Sequence, residues 1–404
     1  MRVVLATALV AAFQCGQAPS APGSTTPQAA TSTVSADPLD NLLGAQPPSV
    51  CETWTATPEP DLMEARQLVA RSDHACVRLS SGRVRCWGSN AAGQLASCED
   101  MPHSAVPQTF PGVDAARDVA VGRYGTCVVD SAGALWCSDQ VRSTLGAKGP
   151  GKIEGIANAT AVAVGDAHAC VLQSDERVLC FGRWDAAEAL GPSARVVDEG
   201  TQTGRGAGYV DLQRPERIVA GAAHNCALEG QGRVMCWGQN TLGQLGDPSV
   251  GTEVEANRGT PRRVSGIPFA ESLHAEQNTT CAVTDVGELF CWGEGFGPQA
   301  LGVRVPTAKA AAMGPGFVCL ATRGGGLWCG GEGMSFAPSV QADLLPGYQG
   351  TVGVAVGEGF VCAHRDDGMV QCQGNNTLGQ LGGQHPTATQ RLEPTKVLLG
   401  GVEI

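Results

Sequence analysis

Residues 76–88 read Cys-Val-Arg-Leu-Ser-Ser-Gly-Arg-Val-Arg-Cys-Trp-Gly. From Cys76 to Ser80 apolar and polar residues alternate, Ser81-Gly82 supplies a turn, and Arg83 returns through Cys86 to Trp87, which is the pattern of a β-hairpin. The ten-residue spacing of Cys76 and Cys86 recurs at Cys127 and Cys137, Cys170 and Cys180, Cys226 and Cys236, Cys281 and Cys291, Cys319 and Cys329, and Cys362 and Cys372. Successive first cysteines lie 51, 43, 56, 55, 38 and 43 residues apart, a period that belongs to solenoids and propellers. Six residues after each first cysteine stands Gly82, Gly133, Gly232, Gly287, Gly325 or Gly368, with Glu176 the one exception. Such a position suits a hairpin loop closed by a left-handed residue. The chain is therefore read as seven hairpin-centred repeats in an all-β fold.

Folding each hairpin about its turn sets its two cysteines opposite one another. Directly opposed residues that share no hydrogen bonds have Cα atoms about 4.5 Å apart, within reach of a disulfide. One intra-hairpin disulfide per repeat follows, Cys76 to Cys86 in the first and the corresponding pair in each of the others. A zinc site is disfavoured, because structural sites place their cysteines about two to four apart. Of the 17 cysteines, Cys15, Cys51 and Cys98 are left over. If Cys15 is modified, Cys51 and Cys98 remain to join the N-terminal segment to the first loop between repeats.

The composition agrees with this architecture. Gly at 55 and Pro at 24 of 404 residues favour short strands and tight turns. The formal charge of −12, without a basic cluster, speaks against a nucleic-acid partner, since phosphate binding requires a basic footprint. Arg2 followed by the apolar run Val3 to Phe13 reads as an export signal too short to span a bilayer. Cys15 at its end resembles the acylated cysteine of bacterial lipoproteins, although Gln14 departs from the small residue usual there; cleavage near Ala18 or Ala21, giving a free secreted protein, is the alternative. The expected organisation is a signal segment over 1–15, a Pro/Ser/Thr-rich flexible tether over 16–61, and the repeats over 62–404, in a monomer exported to the cell surface or outer membrane.

Around the hairpins further elements recur. Val119-Ala-Val-Gly122, Val162-Ala-Val-Gly165, Val219-Ala-Gly221 and Val354-Ala-Val-Gly357 precede them, and His74, His168 and His224 stand two residues before a first cysteine. Cys-Trp-Gly at 86–88, 236–238 and 291–293 follows, then Asn90 with Gly93-Gln-Leu95, Asn240 with Gly243-Gln-Leu-Gly246, and Asn376 with Gly379-Gln-Leu-Gly382. From about Glu64 to Ile404 this pattern resembles the repeat of the regulator of chromosome condensation family. The resemblance implies a seven-bladed β-propeller with four strands per blade. The C-terminal residues from Thr395 are expected to complete a blade shared with the first repeat, so that no edge stays open.

The recurring Trp, His and Gly-Gln-Leu are read as packing and turn residues, because a catalytic group occurs once whereas these follow the structural repeat. No metal, cofactor or catalytic residue is assigned. Function is expected where the repeat is interrupted, at Arg183 to Arg217 and Asp247 to Arg263, two insertions that should emerge side by side on one face. The first carries Trp184, Asp185, Glu188, Arg205, Tyr209 and Arg214, suited to a recognition surface. The leading expectation is a non-catalytic scaffold for a protein or glycan partner. The resemblance also implies one alternative, a secreted enzyme inhibitor like the family's β-lactamase-inhibiting relative, which would need many aromatics on one face; a further alternative, apart from the resemblance, is an enzyme acting on polysaccharide. The latter would need carboxylates over the central channel, for which Asp198, Glu199, Glu253 and Glu255 are the only candidates. A nucleotide-exchange role, as in the nuclear member, does not suit an acidic, exported chain.

Overall fold

The computed structural model describes residues 38–53, 64–183, 189–197, 204–247, 257–303, 305–331, 343–383 and 390–399. Cys15, Trp184, Asp185, Glu188 and the four acidic residues of the insertions lie outside them.

Seven antiparallel sheets are each built from consecutive strands. The innermost strands are Ala65–Arg71, Ala116–Val121, Ala159–Val164, Pro215–Ala220, Ala270–Glu276, Ala308–Gly314 and Thr351–Gly357. Each packs against the inner strand of the next sheet, and the last packs against the first, which closes a ring of seven blades. Within every hairpin the cysteines are register partners and are bonded, Cys76 to Cys86 in blade one and likewise through Cys362 to Cys372 in blade seven, with Cα atoms 4.0–4.1 Å apart.

Because strands alternate in direction, the links after the inner strand and after the third strand lie on one face, here the upper. The hairpin turns and the links between blades lie on the lower face. Gly82 caps its turn with φ +88°, and its N–H donates to the Leu79 carbonyl at 2.9 Å. Glu176 makes the same turn with φ +64°, donating to the Gln173 carbonyl at 3.1 Å, so the backbone requirement persists where the glycine is missing. A left-handed residue with a Cβ costs about 1–2 kcal/mol, partly offset by the greater unfolded-state freedom of glycine. Glu176→Gly is therefore expected to stabilise the protein by about 0.5–1 kcal/mol, checked by chemical denaturation; a loss of stability would show that the Glu176 side chain contributes more than its backbone costs.

Between blades the recurrent residues form a polar lattice within an apolar filling. Trp87, Trp237 and Trp292 are fully buried. Each indole donates to a carbonyl of the preceding blade: Trp87 to Gln380 at 2.8 Å, Trp237 to Ala189 at 3.1 Å and Trp292 to Gln244 at 3.0 Å. The Gly-Gln-Leu turns satisfy themselves, since Asn90, Asn240 and Asn376 accept from the N–H of Leu95, Leu245 and Leu381. Histidine Nε2 atoms reach forward, His74 to Thr126 Oγ1 at 3.2 Å, His168 to Asn225 Oδ1 at 2.8 Å and His224 to Thr280 Oγ1 at 2.7 Å. Blades six and seven place Phe317 and Phe360 at that position, and the residues that would receive the hydrogen bond there are the apolar Val361 and Ala75.

Three expectations need correction. The ring does not close by a shared blade: Gln390–Lys396 is the outer strand of blade seven, and blade one has its own inner strand. Closure comes from packing of Phe360, Leu381, Val397 and Leu399 against Leu68, Val77 and Trp87. The first insertion is not all loop, because Arg205–Val210 is the outer strand of blade three and Arg195–Val197 adds a fifth strand outside it. The second supplies Asn257–Arg263, the outer strand of blade four.

The composition of 16–61 predicts a tether, yet residues 38–53 are docked on the rim. Helix α1, Pro38–Leu43, buries Leu39, Leu42 and Leu43 in the core shared by blades two and three. Asp40 pairs with Arg195 at 2.6 Å, Val50 N–H donates to the Pro150 carbonyl at 2.9 Å, and Cys51 is bonded to Cys98 of blade one. This strap covers a short outer strand, the three residues Gly151–Ile153 of blade two, whose third strand is also only three residues long. Covering a weak sheet edge is a usual way to keep it from pairing elsewhere.

Candidate functional site: the axial channel

The seven inner strands surround a cavity of about 340 Å³. At its upper end the repeat Val-Ala-x-Gly places a glycine at Gly122, Gly165, Gly221, Gly314 and Gly357. The reason is close approach: a Cβ on Gly165 would sit 2.2 Å from the His168 ring, and one on Gly221 2.1 Å from that of His224. Blades one and five break the rule with Arg71 and Glu276. These two residues meet across the ring. Arg71 Nε lies 3.2 Å from Glu276 Oε2, an ion pair without hydrogen-bond alignment, and Arg71 Nη2 donates to Asp166 Oδ1 at 3.3 Å. Arg71 Nη1 donates to the carbonyls of Val164 and Ala220, each at 3.1 Å. One side chain from blade one thus bolts blades three, four and five together, with side-chain exposures of 4 % for Arg71 and 10 % for Glu276.

Burial raises Glu276 to about 7 against the opposing pull of the Arg71 charge. Near the lower end Asp118 is also pushed up by burial, although it accepts from Val162 N–H at 2.9 Å and Gln67 Nε2 at 2.7 Å. His74, His168 and His224 are held neutral, at about 3, 4 and 3, by burial first.

Removing one partner of a buried ion pair leaves an uncompensated charge, at a cost of about 3–5 kcal/mol, whereas removing both is often close to neutral. Arg71→Ala is accordingly expected to destabilise by about 3–5 kcal/mol, and the double variant Arg71→Gly/Glu276→Gly, which restores the repeat, to recover most of that loss. Denaturant titration of the four members of the cycle checks this; additive losses would mean that the two residues act separately.

Each inner strand begins with a bulge, since the register shifts after its first residue in all seven blades. Beyond the bulge, Gln67, Asp118, Ala161 and Arg217 line the lower part of the channel. Among the described residues no group of three or more His, Cys, Asp or Glu side chains is gathered as a metal site, and all sixteen cysteines are disulfide-bonded. The arrangement offers shaped, charged surfaces for binding.

The described candidates from the first insertion do not share one surface. Arg205, at the upper end of its strand, donates to the Leu145 carbonyl at 2.6 Å and struts blade two against blade three. Tyr209 lies under the Arg177 guanidinium, 4.6 Å from its ring centroid, with a buried hydroxyl. Arg214 is in a lower-face link with φ +53°. Reading for insertions missed Arg123-Tyr124, which occupies the upper-face link of blade two with Tyr124 41 % exposed and the Arg123 guanidinium 5.4 Å from its ring. It missed the bolt as well. The signal was two opposite charges at one repeat position, visible once the blades are aligned.

This geometry defines a disulfide-stapled seven-bladed β-propeller. The model of the regulator of chromosome condensation (RCC1) repeat matches residues 67–94 and 216–244, in blades one and four, which carry the His, Cys-Trp-Gly and Gly-Gln-Leu elements together. The chain thus carries repeats of the RCC1 type and is similar to RCC1-like repeat proteins. It is 27 % identical over 270 residues to the human E3 ubiquitin-protein ligase HERC2, covering 59 % of this chain and 5 % of that protein. To the mitochondrial RCC1 domain-containing protein RUG3 of Arabidopsis thaliana it is 28 % identical over 218 residues, 45 % of this chain and 48 % of that one. The chain thus spans half or less of these two relatives. Among solved structures, human WBSCR16 superposes with a TM-score of 0.64 at 17 % identity, over 78 % of this chain and 94 % of the other. Prp20p of Saccharomyces cerevisiae gives 0.56 at 17 %, over 72 % and 80 %. The fold is one consistent with a protein-binding scaffold.

Proposed function

We propose that this protein is an exported, surface-anchored propeller that acts as a non-catalytic scaffold for a protein or glycan partner, engaged through its upper face. The observation that carries the reading is topological. Both insertions leave the third strand and enter the outer strand of their blades on the face that also bears the exposed Arg123-Tyr124 pair and Glu358. Exposed Tyr and Arg on a rigid scaffold are the residue types that anchor interfaces. One solved relative, Prp20p, is described as binding proteins: Gsp1p and histones in one structure and Kap60 in another. The anchor is Cys15, acylated after removal of the signal segment.

Two measurements test this. Intact-mass analysis of the natively expressed protein should show a diacyl or triacyl increment on a chain beginning at Cys15; a chain beginning after it overturns the anchor. Crosslinking on intact cells should then give an adduct that disappears when residues 198–203 and 248–256 are replaced by Gly-Ser and Tyr124 by Ala. These replacements spare the outer strands at Arg205–Val210 and Asn257–Arg263. An adduct unaffected by all of these changes would remove the upper face from consideration.

A further inference from the structure

The repeat supplies its own control for asking which channel residues are structural. At the inner-strand position opposite the first cysteine of each hairpin stand Val69, Ala120, Ala163, Val219, Ala312 and Ala355, all small and apolar, and in blade five His274. Arg71 and Glu276, which break the pattern at the upper end, are explained by each other. His274 is not: neither ring nitrogen makes a hydrogen bond among the described residues, and Nε2 is buried. On the neighbouring inner strand, just beyond the bulge, Arg217 is exposed and also lines the cavity. Its positive charge is felt at His274, which burial and that charge hold neutral, at about 4. The other charged group on the lower wall, Asp118, is committed to Gln67 and the Val162 N–H, and Gln67 accepts in turn from Arg78 Nε at 3.3 Å.

The two ends of the channel differ. The upper end is closed by the Arg71 bolt, while the lower end carries the exposed Arg217. Below the bolt the cavity has Ala and Val side chains along its walls and, at its side, one cation unpaired among the described residues beside a neutral imidazole.

We propose that this cavity binds a small organic carboxylate, its carboxyl group held by the Arg217 guanidinium and the His274 imidazole and its apolar body lying against the Ala and Val walls. A guanidinium matches a carboxylate with two parallel N–H donors, and a concave apolar site with a few placed polar groups is the usual form of a small-molecule site. At about 30 Å³ per water-sized group, the cavity takes on the order of ten non-hydrogen atoms. The site is on the opposite face from the partner surface and does not depend on it.

The probe is benzoate, titrated calorimetrically into the intact protein at neutral pH, with inorganic phosphate and benzyl alcohol as the charge-only and body-only comparisons. Saturable benzoate binding is expected, weakened at least tenfold in both Arg217→Gln and His274→Ala and unchanged in Arg66→Gln, whose side chain is exposed beside the bulge but does not line the cavity. His274→Ala restores the small residue of the other blades, so the fold is retained, and an unaltered melting temperature confirms it. Absence of saturable benzoate binding, equal affinity in Arg217→Gln, or phosphate or benzyl alcohol binding as tightly as benzoate would each overturn the proposal.

Discussion

Under native conditions, millimolar dithiothreitol followed by alkylation adds two labels, on Cys51 and Cys98, beyond any label carried by Cys15. The same treatment in denaturant labels all sixteen disulfide-bonded cysteines. The fourteen hairpin cysteines are 0–1 % exposed, so no reductant reaches them in the folded disc, whereas Cys98 lies in an exposed loop. Each hairpin disulfide closes a loop of about eleven residues, worth roughly 2–3 kcal/mol where the unfolded chain gains the full freedom. Seven such contributions exceed the net stability of about 5–15 kcal/mol typical of a folded protein. The fully reduced chain is consequently expected not to regain its native melting transition until it is reoxidised. Labelling of hairpin cysteines without loss of the folded state would show that the blades open individually.

Acid is expected to be the second severe stress. His74, His168, His224 and His274 stay neutral in the fold, at about 3–4, and ionise near 6.5 when unfolded. For a base whose folded value is depressed, the unfolded state binds more protons below 6.5, so the stability present above that pH is lost as pH falls from 6.5 towards 4. Each contributes roughly 1 kcal/mol per pH unit within that window. Glu276, raised to about 7, has the opposite sign: the folded state takes up its proton first, and stability gains between 7 and 4.5. With Asp118 raised in the same sense as Glu276 and His364 lowered in the sense of the four histidines, the net is a loss on the order of 3 kcal/mol per pH unit around pH 5.5. Melting temperature followed from pH 7.5 to 5 checks the slope. Replacing His74, His168 and His224 together by Gln should flatten it, and a flat profile in the unmodified protein would contradict the neutral state assigned to these rings.

Much of this molecule was legible before any coordinates, because a structural repeat writes the same constraint seven times. The cysteine spacing, first seen between Cys76 and Cys86, located every hairpin, and the recurrence of Trp87, Trp237 and Trp292 marked them as packing residues. What escaped was whatever the repeat does not write. Arg71 and Glu276 are 205 positions apart in sequence, and their pairing exists only because the ring brings blades one and five to a common axis. The closing strand was misread because Val397 and Leu399, which merely pack blade seven against blade one, look like the start of another Val-Ala-x-Gly run. The docked part of the N-terminal segment was hidden by its Ala-, Pro- and Ser-rich surroundings, although Leu39, Leu42 and Leu43 already had the i, i+3, i+4 spacing of a helix with one apolar side. The six residues chosen from the first insertion were grouped by sequence, while the antiparallel strand divides Arg205 from Arg214 between opposite faces.

The strap over blades one to three has a mechanical consequence. A pull applied at the N-terminal end meets helix α1 first, seated in the shared core of blades two and three, and then the hydrogen bonds that lay residues 47–51 along the edge of blade two. These yield in sequence, as a zipper does, until the load arrives at Cys51. There it passes through a covalent bond into the loop of blade one that carries Cys98. A load that crosses this bond enters the blade through an outer link rather than along its innermost strand, Ala65–Arg71, which carries the Arg71 bolt on blades three, four and five.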